Sequence, residues 1–161
     1  MMKREVPDFS AYADLVIMML GMRVRTLRGV KTLLGLGPPI EAAGAARPDG
    51  LLHADNAIIY GFYPLHLGMR WYWRDIDALE AWAKSGPHRL WWSQFMTDSG
   101  GTEFWHETYH MRGGMEAIYL DMTKPIGLAN FMPVGAARGT MASRHKEWAS
   151  PGPGEAPTDR R

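Results

Sequence analysis

Six histidines are scattered along the chain, and His88 and His106 stand in patterns that can do chemistry. His88 opens the run HRLWWSQF. His88, Trp91, Trp92 and Phe95 fall at i, i+3, i+4 and i+7, so in a helix all four share one face. An imidazole on such an aromatic stripe sits in the wall of an apolar pocket, where it can move a proton or hold a ligand. Its plainer role is that of a core histidine donating to a backbone carbonyl. His106 and Glu107 lie in TEFWHETYHM, residues Thr102–Met111. If this run is extended, Glu103, Trp105, Glu107 and Tyr109 point one way, while Phe104, His106, Thr108 and His110 point the other. His106 and Glu107 therefore cannot enter the same cavity. In one register Glu107 is the inward acid, its pKa raised by burial, and His106 packs under a helix. In the other His106 and His110 face inward. An imidazole there is a general base that takes a proton from an acidic carbon, so that the carbanion reacts with dioxygen. A Glu–Arg or Glu–His pair that locks the strand is the structural alternative.

Other candidates surround these two. Tyr72, Tyr109 and Tyr119 can orient a carbonyl or hydroxyl, or serve as amphipathic core residues. Asn56 can steer dioxygen or a substrate oxygen. Catalysis is thus assigned to His88, His106, Glu107 and Tyr109, and the substrate wall to Asn56, Tyr72, Trp105 and Tyr119. Arg23, Arg25 and Arg70 can hold a carboxylate or lie on an exposed face. No helical metal-binding pair of the H-x-x-x-H type occurs, and His106 and His110 would be about 13 Å apart on a strand. There is no glycine-rich nucleotide fingerprint and no nucleophile elbow.

The chain that must position these groups has 161 residues, 46% hydrophobic and 22% charged, enough for one globular domain with a real core. A formal net charge of +1 makes no electrostatic case for nucleic acid or an anionic membrane. The absence of cysteine excludes disulfides, thiolate nucleophiles and thiolate metal sites. Neither a signal peptide nor a spanning run of about 20 apolar residues is read, and the expected location is the cytoplasm. Seven Trp and twelve Met suit a large apolar cavity, a core or an interface.

Val16–Leu20 is a continuous apolar run that predicts a strand buried on both faces. Helical material follows to Ala46, interrupted at Gly35–Pro39 because a Pro-Pro pair breaks a helix interior. Strands are predicted at Leu51–Gly61 and Leu67–Trp73, joined through Phe62–His66. Asp77 and Glu80 make a capping box for the next helix, with Leu79, Trp82 and Ala83 on its apolar face. Ser85-Gly86-Pro87 ends it and starts the His88 helix. Residues 1–13 are a lead-in, residues 14–134 one α+β domain, and residues 135–161 a flexible Gly/Pro-rich tail. The order β–α–β–β–α–β is the ferredoxin-like arrangement, and its uncovered sheet face predicts a homodimer.

LGMRV at Leu20–Val24, YWRDIDALEAWA at Tyr72–Ala83, SGPHRLWWSQF at Ser85–Phe95 and FWHETYHMRGGMEAIY at Phe104–Tyr119 together resemble one family. It is the family typified by the fumagillin-pathway monooxygenase, a neighbour of the antibiotic-biosynthesis monooxygenases. The resemblance spans Leu15–Met132, and its most specific pieces are Trp105–Tyr109 and Glu116–Tyr119. It departs from the family in the Gly35–Ala46 segment and the Pro-rich tail. The resemblance implies a dimeric α+β barrel and oxidation of a small hydrophobic metabolite in secondary metabolism, either cofactor-free or with haem. The superfamily includes haem proteins whose iron is held by a helical histidine. That implies His88 as the iron ligand, with Trp91 and Trp92 against the porphyrin. Haem would also open aldoxime-dehydratase or peroxidase chemistry, and a non-catalytic carrier of haem or a hydrophobic ligand is the rival from another class.

Overall fold

The computed structural model describes residues 3–111, 119, 120, 123, 125 and 127–136. The chain divides into two compact units. The larger runs from Phe9 to Arg112, and the smaller comprises Met1–Asp8 with Gly113–Arg161.

In the larger unit, β2 (Val16–Val24) is followed by α1 (Leu27–Ala45), β3 (Leu51–Phe62) and β4 (Leu65–Trp73). Then come α2 (Ile76–Ala83), α3 (Gly86–Thr97) and β5 (Thr102–His110). The four strands form one antiparallel sheet in the order β3-β4-β2-β5, with β2 at the centre against β4 and β5. This is the ferredoxin-like order of elements, with the second helical crossover split in two at Ser85. In the smaller unit β1 (Arg4–Pro7), within the segment read as a lead-in, pairs antiparallel with both β6 (Tyr119–Leu120) and β7 (Val134–Ala136). The rest of the tail lies outside the described residues.

The register sorts side chains onto two faces. Met18 pairs with Trp71 and Thr108, Leu20 with Met69 and His106, and Met22 with Leu67 and Phe104. All of these look toward the helices. Ile17, Met19 and Gly21 look the other way beside Tyr72 and Tyr109, Arg70 and Glu107, and Gly68 and Trp105. The apolar run in β2 is thus buried on the helix side, at Val16 and Met18, and only half-buried at Ile17 and Met19. The expected burial on both faces is not completed within one chain.

Trp71 and Trp73 are fully buried and form the floor of the core with Val16, Met18 and Met69. Trp82 of α2 lies on both indoles, at ring-centroid distances of 5.0 and 5.5 Å. The helix is seated at its start by Asp75, not by the expected Asp77. Asp75 is extended, and its carboxylate accepts from the Ala78 N–H at 2.7 Å and from Arg74 Nε at 2.7 Å. Asp77 falls inside the first turn, where a negative charge suits the helix dipole. Asp75 can cap because β4 ends two residues before it, at Trp73, with Arg74 N–H donating to Gly50 O. Gly50 has φ +78, and a Cβ there would stand 2.3 Å from that of Ala78, so only glycine lets this turn pass under α2.

α1 corrects a second expectation, because it runs unbroken through Pro38 and Pro39. The two missing N–H groups would have bonded to the carbonyls of Leu34 and Gly35, both on exposed residues, so water can serve those carbonyls.

Two substitutions should loosen α2 by separate routes. Gly50→Ala adds a clash and a left-handed strain and should cost about 2 kcal/mol. Asp75→Ala removes the cap and should cost about 1 kcal/mol at neutral pH. The Arg74 guanidinium and the Ala78 N–H hold the Asp75 carboxyl below its ordinary pKa. That contribution is therefore present above the unfolded carboxylate value and is lost as pH falls through the lowered one. Denaturant melts of both variants at neutral and acid pH would check this; an Asp75→Ala deficit that persists undiminished in acid would be the wrong sign.

Candidate functional site

A cavity of about 680 Å³ lies between the helix side of β2 and β5 and the helices α2 and α3. Its walls are mainly apolar, from Met18, Ile76, Leu79, Trp82, Ala83 and Trp92. His88 enters from α3 and His106 from β5, with Thr108, Glu80 and Arg89 completing the lining. His88 is the third residue of α3, in its first turn, directly after the sharp corner at Ser85. There its Nδ1 reaches the carbonyl of Ala83, the last residue of α2, at 2.9 Å. An oxygen acceptor requires that Nδ1 carry the proton, so in the neutral ring it is Nε2 that holds the lone pair. The ring is packed 4.6 Å from Trp82 and lies nearly parallel to Trp92 at 6.4 Å. The two structural roles weighed for this histidine, pocket wall and backbone donor, thus occur together.

His106 faces the same space, 6.3 Å from the Trp92 ring and beside Phe104. Solvent reaches part of it, yet the surrounding aromatic wall desolvates the ring. That burial first, and the neighbouring His88 second, push its pKa below the ordinary imidazole value. At neutral pH His106 is an uncharged base. Phe95 and Phe104 pack at 4.8 Å behind it, and Trp91, Trp92 and Phe95 line a narrow extension of the cavity.

The other candidates are placed apart from this pair. Glu107 and Tyr109 lie on the opposite face of the sheet, where the Tyr109 hydroxyl donates to the Glu107 carboxylate and its pKa is raised by that bond. Tyr72 is buried on that face too, with the Arg70 guanidinium 5.3 Å from its ring. Trp105 is there as well. Its Nε1 donates to His66 Nε2 at 2.8 Å, and its indole covers Gly21, where a Cβ would come within 2.6 Å. Arg70 pairs with Asp55 at 2.9 Å, and Arg23 and Arg25 pair with Glu103. Asn56 is on the helix side, but its Oδ1 accepts from Trp71 Nε1 at 2.9 Å and it lines a different cleft, under α1. His110 shares a face with His106 but sits at the far end of β5, its Nε2 buried without a partner among the described residues. The Tyr119 side chain and Glu116 lie outside the described residues. Among the described residues no group of three or more His, Asp or Glu is disposed to hold a metal ion.

Sequence reasoning missed Met18, Ile76, Leu79, Glu80, Trp82, Ala83, Arg89 and Thr108 as lining residues. The signal for Thr108 and Trp82 was present, in the strand alternation beside His106 and in the apolar face of α2.

The fold and cavity define one ferredoxin-like α+β unit with a half-open apolar pocket under its helices. The model of the family described as monooxygenase af470-like matches residues 15–128, and the chain belongs to this family. No curated protein sequence matches the chain. Among solved structures it is similar to the aldoxime dehydratase OxdRE in complex with butyraldoxime, with TM-score 0.70 and 23% identity over 91% of this chain. A second aldoxime dehydratase gives TM-score 0.70 and 20% identity over 91%. A Bacteroides thetaiotaomicron protein described as a possible oxidoreductase gives TM-score 0.50 and 11% identity over 62% of this chain and 99% of its own. The chain spans only 42% and 43% of the two dehydratase chains. These likenesses carry the fold. No described helix is long and apolar enough to cross a membrane.

A proton NMR titration of the histidine rings tests the site's electrostatics. His106 should titrate below the ordinary value near 6.5, and in His88→Ala its midpoint should rise only partway, since burial remains. Because the folded value is lowered, the stability His106 contributes is complete above the unfolded value and declines as pH falls toward the folded one. A midpoint above the ordinary value would contradict the packing described.

Proposed function

We propose that the chain oxidises a hydrophobic metabolite in the cavity between α2, α3 and the sheet, with His106 as general base and His88 as the group that holds the reacting oxygen or ligand. The observation that carries the reading is the pair of imidazoles in one apolar space. One is kept uncharged by burial, and the other has its Nε2 lone pair turned away from the Ala83 carbonyl. An uncharged imidazole near neutrality takes a proton from an activated methylene, and the apolar wall strengthens its hydrogen bond to the resulting enolate oxygen. Dioxygen then adds to the carbanion. One oxygen atom stays as a carbonyl and the other leaves as water with the two methylene hydrogens, so the four electrons lost by carbon are those gained by dioxygen. No outside reductant is required.

The lone pair on His88 favours a second reading as well. A neutral imidazole with Nδ1 bonded to a backbone carbonyl would suit haem iron as a ligand, since the Nδ1 bond orients the ring. The donor set fits: His88 would hold the iron, Trp82 and Trp92 would pack on the macrocycle, and Arg89 would meet a propionate. Bound haem would supply redox or Lewis-acid chemistry at the iron. His106 keeps the same task in either case, moving a proton at the substrate. A carrier without turnover gives His106 no task.

The half-covered sheet face with Ile17, Met19 and Tyr109 supports a second copy of the chain as partner, as the apolar surface left there would be buried by it. The substrate is a small hydrophobic molecule.

Oxygen uptake with a hydrophobic ketone bearing an acidic methylene tests the first reading. His106→Gln should lower kcat by about 100-fold or more with an unchanged melting temperature. Turnover indifferent to His106 would sink the base assignment. Adding haem to the purified protein separates the two readings: a Soret band that His88→Ala abolishes assigns the iron ligand, and a spectrum with no haem band leaves the cofactor-free route.

A further inference from the structure

The cavity that holds His88 and His106 continues past their rings. A narrow neck of about 70 Å³ shares Trp82, His88, Trp92 and His106 with the 680 Å³ chamber. On its other side the neck shares Leu20, Met22, Leu36, Ile40 and Met69 with a second chamber of about 420 Å³ under α1. The middle space thus shares walls with both chambers on the helix side of one sheet.

The two chambers differ in chemistry. The first holds both imidazoles together with Arg89 and Glu80. Around the second, the polar side chains among the described residues are Asn56, whose Oδ1 is engaged by Trp71, and Glu41 on an exposed position of α1. Leu33, Leu36 and Ile40 recur at i, i+3 and i+7, so α1 turns an apolar stripe toward this space without filling it. Unfilled apolar space forfeits dispersion contacts that an apolar ligand would restore. The neck decides the shape of that ligand. Its volume is less than half of the roughly 150 Å³ that accepts a benzene ring in a protein core. So small a space suits an unbranched chain better than a fused ring.

We propose that the substrate is a linear aliphatic compound, its polar reactive end beside His88 and His106 and its unbranched tail threaded through the neck into the α1 chamber. Leu36 and Ile40 are then specificity residues, far from the reacting atoms. This rests on the first chamber being the reaction site.

Calorimetric titration of the full-length chain with hexanoate, decanoate and tetradecanoate tests it, Arg89 offering the carboxylate a cation in the first chamber. Affinity should climb along the series by up to about fourfold per methylene. Ile40→Trp and, separately, Leu36→Trp should abolish the gain from hexanoate to tetradecanoate while leaving hexanoate within about twofold. Leu36 is the less packed of the two, so its variant is the safer if Ile40→Trp melts early. Anthracene carboxylate should bind no better than hexanoate. Affinity flat with chain length, a slope that survives both tryptophans, or anthracene carboxylate binding as tightly as tetradecanoate would each overturn the tail assignment. If hexanoate binding persists and depends on His88, the reaction chamber stands while the tail reading falls. If no member binds, both fall.

Discussion

The contact of Trp82 with Trp71 and Trp73 determines where everything else in the site can be. Two fully buried indoles on β4 offer a flat apolar floor, and the single indole of α2 settles on both. Aromatic burial of this size is among the larger favourable contributions available to a small domain. Once Trp82 is seated, the end of α2 is fixed, and with it the Ala83 carbonyl that orients His88. The same indole packs on the His88 ring and lines both the main chamber and its neck. One packing contact thus holds the helix, aims the imidazole and walls the cavity.

The sheet beneath is asymmetric in chemistry. Its helix side carries Met18, Leu20, Met22, Met69 and the paired imidazole of His106. Its other side carries ion pairs and hydrogen-bonded aromatics, among them Asp55–Arg70, Glu107–Tyr109 and His66–Trp105. The first face can exclude water from a reaction. On the second, acids and bases are engaged with one another, which stiffens the strands and leaves a semi-polar surface of the kind found between subunits. A proton-transfer role is better served by His106, kept uncharged by its surroundings, than by Glu107, whose carboxylate already accepts the Tyr109 hydroxyl.

His88 shows how one ring can make a structural bond and still face a cavity. The bond from Nδ1 to Ala83 costs the site nothing, because it satisfies a helix-end carbonyl that would otherwise seek water. In doing so it selects the tautomer that leaves Nε2 as a lone pair. The alternative of a fully buried core histidine would have bonded both nitrogens. The same ring lines both the main chamber and the narrow space beside it.

Much of this was legible in the amino-acid pattern. The spacing of His88, Trp91, Trp92 and Phe95 identified a helix with one aromatic face, and the alternation in Thr102–Met111 established that His106 and Glu107 must part company. The order of elements pointed to the ferredoxin-like sheet. What pattern could not decide was which face of β5 meets the helices, because both faces carry aromatic and titratable residues and period two is blind to their exchange. That was decided by pairing β5 to β2, where Leu20 opposite His106 continues the apolar side. The Asp75 cap was likewise invisible beside the equally plausible Asp77, since choosing between them depends on where β4 ends against Gly50. Pro38 and Pro39 read as a break because their cost was judged locally, whereas the carbonyls they strand face solvent. Local sequence determined the elements and their amphipathic faces; long-range pairing alone brought two distant imidazoles into one apolar space, because only contact across the sheet and its helices distinguishes a wall from a surface.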